Sequence, residues 1–234
     1  MKNAVITGAT KGMGRAIALA FAKEGINLAV CSRKDSELEE FKQELLTINP
    51  QIKVFTRVAD GSVKDQLLKF AGAAEQELGF ISVIVNNLGV FDPISILDES
   101  GAAFEKQMNT NYMPAYHLYR YFGKSMIAAR EGHIFTICSV AALDPIAAAG
   151  TYSVTKAALL SLSRVMRLEM MPHNVKVTAV IPGSTLTNSW EGTTIPKNQF
   201  VLPEDIASAI VNVYKMSPGA NVDELIIKPV GGQI

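Results

Sequence analysis

Ala4-Val5-Ile6-Thr7-Gly8-Ala9-Thr10-Lys11-Gly12-Met13-Gly14 opens the chain with a short apolar run that turns directly into a segment with glycines at 8, 12 and 14. Apolar residues at helical spacing follow, Ile17, Leu19, Ala20 and Phe21, so the stretch predicts a strand, a tight turn and a helix. Three glycines there let backbone N–H groups approach a pyrophosphate closely, with the positive end of the helix dipole behind it. The spacing is GxxxGxG rather than GxGxxG, and its position between the first strand and the first helix is what gives it meaning. Gly8, Thr10, Lys11, Gly12, Met13 and Gly14 are therefore cofactor-binding candidates.

Working outward, β-type runs recur at Leu28 to Cys31, Val54 to Val58, Val83 to Val85, His133 to Cys138, Val175 to Ile181 and Leu225 to Ile227. Helical patterns lie between them, including Leu159, Leu162, Val165, Met166 and Leu168. Alternating strands and helices predict a doubly wound parallel sheet of about seven strands with helices on both faces. Strands covered on both faces read as continuous apolar runs, as AVI, VIV and IFTIC do. Ser36 with Glu39 predicts a capping box, and Pro203-Glu204-Asp205 a first helical turn. No repeat or linker divides the chain, so one domain over 1–234 is expected, with Thr187 to Leu202 as a substrate flap carrying the only tryptophan, Trp190.

The 234 residues carry 22 basic and 22 acidic side chains and are 48% hydrophobic, enough to bury a sizeable core. Zero net charge argues against nucleic acid or a membrane surface as partner. The longest charge-free stretches, Leu78 to Phe91 and Val177 to Trp190, are fourteen residues each, too short to span a bilayer. The N-terminal run is too short for a secretory signal, and Cys31 and Cys138 stand singly in apolar surroundings, which together predict a cytoplasmic protein with reduced, buried thiols. His117, His133 and His173 share no metal spacing, so no metal is expected, and His133 after Gly132 reads as the entry to a strand.

At the end of the second strand, where a dinucleotide fold meets the adenosine ribose, stand Ser32, Arg33 and Lys34. A serine followed by cations, with Lys11 nearby, suits a 2′-phosphate and predicts NADPH/NADP+ over NADH. Asp35, which could take the ribose hydroxyls, is the competing feature. Tyr152 and Lys156 lie four apart on one helical face, and Ser139 lies thirteen residues before the tyrosine at the carboxyl end of the fifth strand. A phenol with an unperturbed pKa of about 10 is a weak acid–base group at neutral pH, and a neighbouring ammonium favours its ionised form.

Through TGATKGMG, Asn86-Asn87-Leu88-Gly89, Asn111, Ser139, Tyr152-Ser153-Val154-Thr155-Lys156 and Pro182-Gly183 with Thr187, the chain resembles the short-chain dehydrogenases/reductases over essentially its whole length. The resemblance implies a Rossmann fold in which Tyr152 is the proton donor, Ser139 positions the carbonyl, and Lys156 favours the phenolate and binds the nicotinamide ribose. It further implies that Asn111 holds a relay water, Asp60 meets the adenine, Asn86 and Gly89 line the adenosine side, and Thr187 contacts the carboxamide. Pro182, Gly183 and Thr185 complete the cofactor-binding candidates. Leu88 stands where the family commonly has alanine, Thr185 where a branched aliphatic residue is common, and the VDGG ending of acyl-carrier-protein ketoreductases is replaced by Asp223-Glu224-Leu225-Ile226.

The activity these features imply is NADPH-dependent reduction of a small ketone or aldehyde, or the reverse oxidation of a secondary alcohol. Val90, Phe91, Ala141, Ala142, Leu143, Ile146 and Trp190 are the expected substrate wall. A 3-oxoacyl thioester reductase and a non-catalytic NADP(H) sensor or scaffold are the alternatives. Homodimer or homotetramer contacts are expected along the helices around Phe104 to Arg130 and Thr151 to Met171.

Overall fold

The computed structural model describes residues 1–234. Strands β1 (Asn3–Ile6), β2 (Asn27–Ser32), β3 (Val54–Val58), β4 (Val83–Asn86), β5 (His133–Ile137), β6 (Lys176–Pro182) and β7 (Glu224–Ile227) form one parallel sheet ordered β3-β2-β1-β4-β5-β6-β7. The helices are α1 (Gly12–Lys23), α2 (Asp35–Ile48), α3 (Lys64–Leu78), α4 (Ala103–Asn111), α5 (Met113–Ala129), α6 (Gly150–Met170) and α7 (Pro203–Tyr214). All seven expected strands are present, within a residue or two at their ends.

The apolar runs are continuous because successive side chains enter opposite cores. In β1, Ala4 and Ile6 pack with Phe21 of α1, Phe41 of α2 and Ile210 of α7. Val5 points the other way, into the cluster built on Phe70 of α3, Phe122 of α5 and Met166 of α6. Each of these phenylalanines is buried, and truncating one to alanine typically costs about 3–5 kcal/mol. His133 begins β5, as expected.

Two local expectations fail. The Ser36–Glu39 capping box does not form, because α2 already starts at Asp35 and Ser36 lies inside its first turn. Asp205 closes the other start: its carboxylate accepts from the Leu202 N–H at 2.9 Å, with Pro203 beside it in the first turn of α7. The pattern from Phe104 to Arg130 is two helices rather than one. Pro114 has no N–H to give the Thr110 carbonyl, and the chain bends at Tyr112 (φ −117°, ψ −54°) before α5 begins. No helix is long and apolar enough to cross a membrane.

The chain runs outward from β1 to β3 and then returns to place β4 on the other side of β1. The order therefore reverses between β1 and β4, and the loops leaving their carboxyl ends face one crevice, the usual ligand position in open α/β sheets.

Candidate active site

The turn after β1 has the conformation its glycines permit. Gly8 and Gly12 adopt φ of +62° and +53°. Gly14 is required for a different reason, since a Cβ there would lie 2.2 Å from the Gly8 carbonyl oxygen. From the end of β4, Asn87 braces this turn by donating from Nδ2 to the carbonyls of Thr7 and Gly8, both at 3.0 Å. Thr7 reciprocates, its hydroxyl oxygen accepting from the N–H groups of Asn87 and Leu88 at 3.0 and 3.1 Å. A Cβ on Gly12 would meet the Thr187 side chain at 3.4 Å, so the loop after β6 closes against the same turn.

A cavity of about 400 Å³ opens beside it. Its floor is Thr7, Gly8, Thr10 and Lys11, one wall is Cys31 to Lys34 with Glu37, and the opposite wall is Ala59 to Ser62 with Leu88, Gly89 and Val90. Lys106 and Thr110 of α4 close the side. Leu88, the departure from the family's usual alanine, leans over both Gly8 and Gly61: a Cβ on either glycine would sit 3.6 and 2.9 Å from its methyl groups. Asp60 accepts from the Ser62 N–H at 2.9 Å and the Ser62 hydroxyl at 2.6 Å. Burial opposes its ionisation, yet these hydrogen bonds and the Arg33 charge prevail and hold the carboxyl below its ordinary range.

Ser32, Arg33, Asp60 and Gly89 thus share one cavity with the glycine turn, as the sequence predicts. Asn86 does not line it. That side chain turns inward, 3.5 Å from the Thr136 hydroxyl and only 5% exposed. Asp35 is exposed at the start of α2 and off the cavity wall. The acid on the wall is Glu37, which sequence reasoning passed over. Its carboxylate lies 3.1 Å from Lys11 Nζ and 3.3 Å from Lys34 Nζ, and the first of these ammonium groups, then the second, holds it below the ordinary carboxylate range.

The second cluster lies at the carboxyl ends of β4 and β5. Lys156 is buried and donates from Nζ to the Ile137 carbonyl at 3.0 Å, leaving two N–H groups, and Nζ is 5.7 Å from the Tyr152 ring centroid. Phe91 packs edge-on against the Tyr152 ring at 4.9 Å. Ser139 Oγ accepts from the Ala141 N–H at 3.1 Å, and its own hydrogen donates to no protein acceptor. Asn111, at the end of α4, clamps the backbone of Val90: Oδ1 accepts from its N–H at 2.7 Å and Nδ2 donates to its carbonyl at 3.1 Å. Nδ2 also donates to the Thr155 hydroxyl at 3.0 Å, so both amide hydrogens are used. A Cβ on Gly89 would sit 3.4 Å from Lys156 Nζ and 3.5 Å from Asn111 Oδ1, so both side chains reach the space that a side chain there would fill.

Among the expected substrate contacts, Val90, Phe91, Leu143 and Ile146 are exposed, and Trp190 packs on Phe200 at 4.9 Å between ring centroids. Ala141 is 1% exposed and faces inward, in the short 3₁₀ turn after β5 whose first N–H groups Ser139 caps by accepting from the Ala141 N–H. Ala142 beside it is partly buried. Pro182 ends β6 and is buried. Gly183 is backed by Gln233, whose Oε1 would be 2.2 Å from a Cβ there. Thr185 is buried, its hydroxyl donates to the Gly183 carbonyl at 2.9 Å, and it does not line the cavity. Met13 lies in the first turn of α1 and does not reach the cavity wall.

A family model described as short chain dehydrogenase matches residues 2–197. Sepiapterin reductase of Chlorobaculum tepidum is 33% identical over 241 residues, covering 98% of this chain and 97% of that protein. An uncharacterized oxidoreductase of Staphylococcus epidermidis is 29% identical over 229 residues, with 98% and 97% covered. Two solved structures superpose closely. Alcohol dehydrogenase from Thermococcus sibiricus, complexed with 5-hydroxy-NADP, gives a TM-score of 0.88 at 28% identity, covering 100% of this chain and 99% of that one. L-sorbose reductase from Gluconobacter frateurii, complexed with NADPH and L-sorbose, gives 0.90 at 25% identity, covering 97% and 95%. With that match over most of its length, the parallel Rossmann sheet and the glycine turn at its switch point, this chain belongs to the short-chain dehydrogenase family and is an NAD(P)-dependent oxidoreductase.

Proposed function

We propose that the protein is an NADPH-dependent reductase of small ketones or aldehydes, or in reverse an alcohol dehydrogenase, with Tyr152 as its general acid and base. The observation that carries this reading is the buried Lys156 ammonium, tied to the Ile137 carbonyl at 3.0 Å and set 5.7 Å from the Tyr152 ring centroid. Charged side chains are seldom buried, and one held in a cleft marks a candidate functional position. A cation that near the ring supports stabilisation of negative charge on the Tyr152 oxygen.

The cofactor cradle fits a dinucleotide. The glycine turn lacks the side chains that would fill it, and the cavity continues from it to Ser32, Arg33 and Asp60. When bound there, a nicotinamide dinucleotide would supply the hydride, held by the turn at its pyrophosphate, by Lys11 and Arg33 at the adenosine ribose, and by Lys156 and Thr187 at the nicotinamide end. The NADP and NADPH in the related structures support the phosphorylated form.

Each polar group then has one task. Ser139 Oγ has a lone pair occupied by the Ala141 N–H, which leaves its hydrogen to donate to a carbonyl oxygen. Tyr152 gives its proton to the same oxygen, so alkoxide charge never stands free. Lys156 keeps two N–H groups for the phenol oxygen and a ribose hydroxyl. Asn111 has spent both amide hydrogens, so the side-chain group it offers a relay water is the remaining lone pair of Oδ1, which shares with Lys156 Nζ the space beside Gly89. Substrate rests against Val90, Phe91, Leu143 and Ile146, with Thr187 to Leu202 as a flap bearing Trp190.

The test is consumption of NADPH and NADH against a graded panel of small ketones, diketones, semialdehydes and acyl thioesters. Turnover of a small carbonyl, faster with NADPH, is expected. Tight NADPH binding without oxidation by any of the panel would overturn the enzyme reading in favour of a sensor or scaffold.

A further inference from the structure

Glu37 occupies an unusual place for an acid. Four residues lining the cavity around it, Lys11, Ser32, Arg33 and Lys34, have the chemistry of a phosphate site, yet three of them already face its carboxylate. Glu37 Oε1 bridges Lys11 Nζ at 3.1 Å and Lys34 Nζ at 3.3 Å, and the Ser32 hydroxyl lies 3.5 Å from Oε2. Lys11 comes from the glycine turn and Lys34 from the loop after β2, so the carboxylate ties two loops together over the cavity. It is a quarter exposed, whereas both lysine side chains are more than half exposed. Arg33, on the same wall, makes no ion pair with it and directs its field to Asp60.

We infer that Glu37 sets the dinucleotide preference by occupying, among Lys11, Lys34 and Ser32, the position that a ribose 2′-phosphate would take. The inference rests on the reading that this cavity holds the adenosine end of a nicotinamide dinucleotide. A phosphate docking there draws on the same two ammonium groups. Their flexible stems can turn to it, but Glu37 is anchored on the first turn of α2 and stays within a few ångströms, adding like-charge repulsion. An unphosphorylated ribose presents hydroxyl donors instead, and Oε2, whose contact with Ser32 is long at 3.5 Å, can accept from them. One carboxylate therefore opposes the phosphorylated cofactor and favours the other. Arg33 is the cation left free to draw the phosphate in, so discrimination becomes a contest between Arg33 and Glu37 and not a property of the basic cluster alone.

Calorimetric titration with 2′,5′-ADP and with 5′-AMP isolates this contest, because the two nucleotides differ only in the 2′-phosphate and neither requires turnover. Glu37→Gln keeps the size of the side chain and removes its charge at a partly exposed position outside both hydrophobic cores, so the variant is expected to fold. It should bind 2′,5′-ADP about tenfold more tightly, a factor between the bulk-water and the near-surface scale of one like-charge pair, while 5′-AMP binding stays within about twofold or weakens. Glu37→Ala should move the ratio in the same direction. An unchanged ratio in both variants, with both nucleotides still bound by the parent protein, would overturn the role of Glu37 and leave the cofactor reading standing. Failure of the parent protein to bind either nucleotide would overturn both. A parent protein that prefers 5′-AMP, combined with a shift towards 2′,5′-ADP in the variants, would contradict the NADPH preference and support the role of Glu37.

Discussion

The Asn87 amide nitrogen lies 3.0 Å from the Gly8 carbonyl oxygen, a bond that carries the end of β4 across to the turn after β1. The same nitrogen also bonds the Thr7 carbonyl, so one side chain supports two consecutive peptide groups of the turn. Asn87→Ala leaves both carbonyls without this donor, which costs about 1–3 kcal/mol. We expect a lower melting temperature and at least tenfold weaker dinucleotide binding, read by thermal denaturation and fluorescence titration. Parent-like affinity would show that the turn holds its shape without Asn87.

Both thiols are expected to be inert in the folded protein. Burial pushes Cys31 and Cys138 up to about 12, so almost no thiolate exists at pH 8. Ellman's reagent should find no fast-reacting cysteine in the native protein and both after unfolding in guanidinium. A rapidly labelled thiol in the native state would contradict the burial of these two side chains.

His133 predicts an acid-sensitive stability. Its ring is stacked on Phe135 at 3.9 Å, with Nε2 2.9 Å from the Thr178 hydroxyl, and burial foremost pushes its pKa from 6.5 to about 3. The folded pKa lies below the unfolded one, so between those values the unfolded chain binds the extra proton. The stability associated with neutral His133 is therefore complete above pH 6.5 and is lost as pH falls towards 3, by up to about 1.4 kcal/mol per pH unit. Urea unfolding at a series of pH values should show this slope, and His133→Gln should flatten it. Equal slopes in the two proteins would contradict the assignment.

Particular residues show what could be read in advance. The strands were legible because β1, β4 and β5 are covered on both faces, which forces continuous apolar runs. The break between α4 and α5 was not, because the apolar spacing continues through it, and Pro114 was its one overt signal. Asn86 and Asn87 are identical neighbours, and the strand pleat sends the first towards Thr136 and the second to the glycine turn. Composition cannot say which does which. Ala141 looked like substrate wall, but the 3₁₀ turn capped by Ser139 turns it inward. Glu37 had no signal at all, since its meaning arises only when the loops bearing Lys11 and Lys34 are brought together.

Tyr152→Phe tests the central claim most directly. The substitution keeps the ring that Phe91 packs against and removes only the hydroxyl. Measured with NADPH and a carbonyl substrate of the parent enzyme, turnover should fall by a factor of about 10²–10⁴, the usual contribution of a positioned general acid, while the NADPH dissociation constant changes less than about twofold. Turnover retained at the parent level would contradict the account.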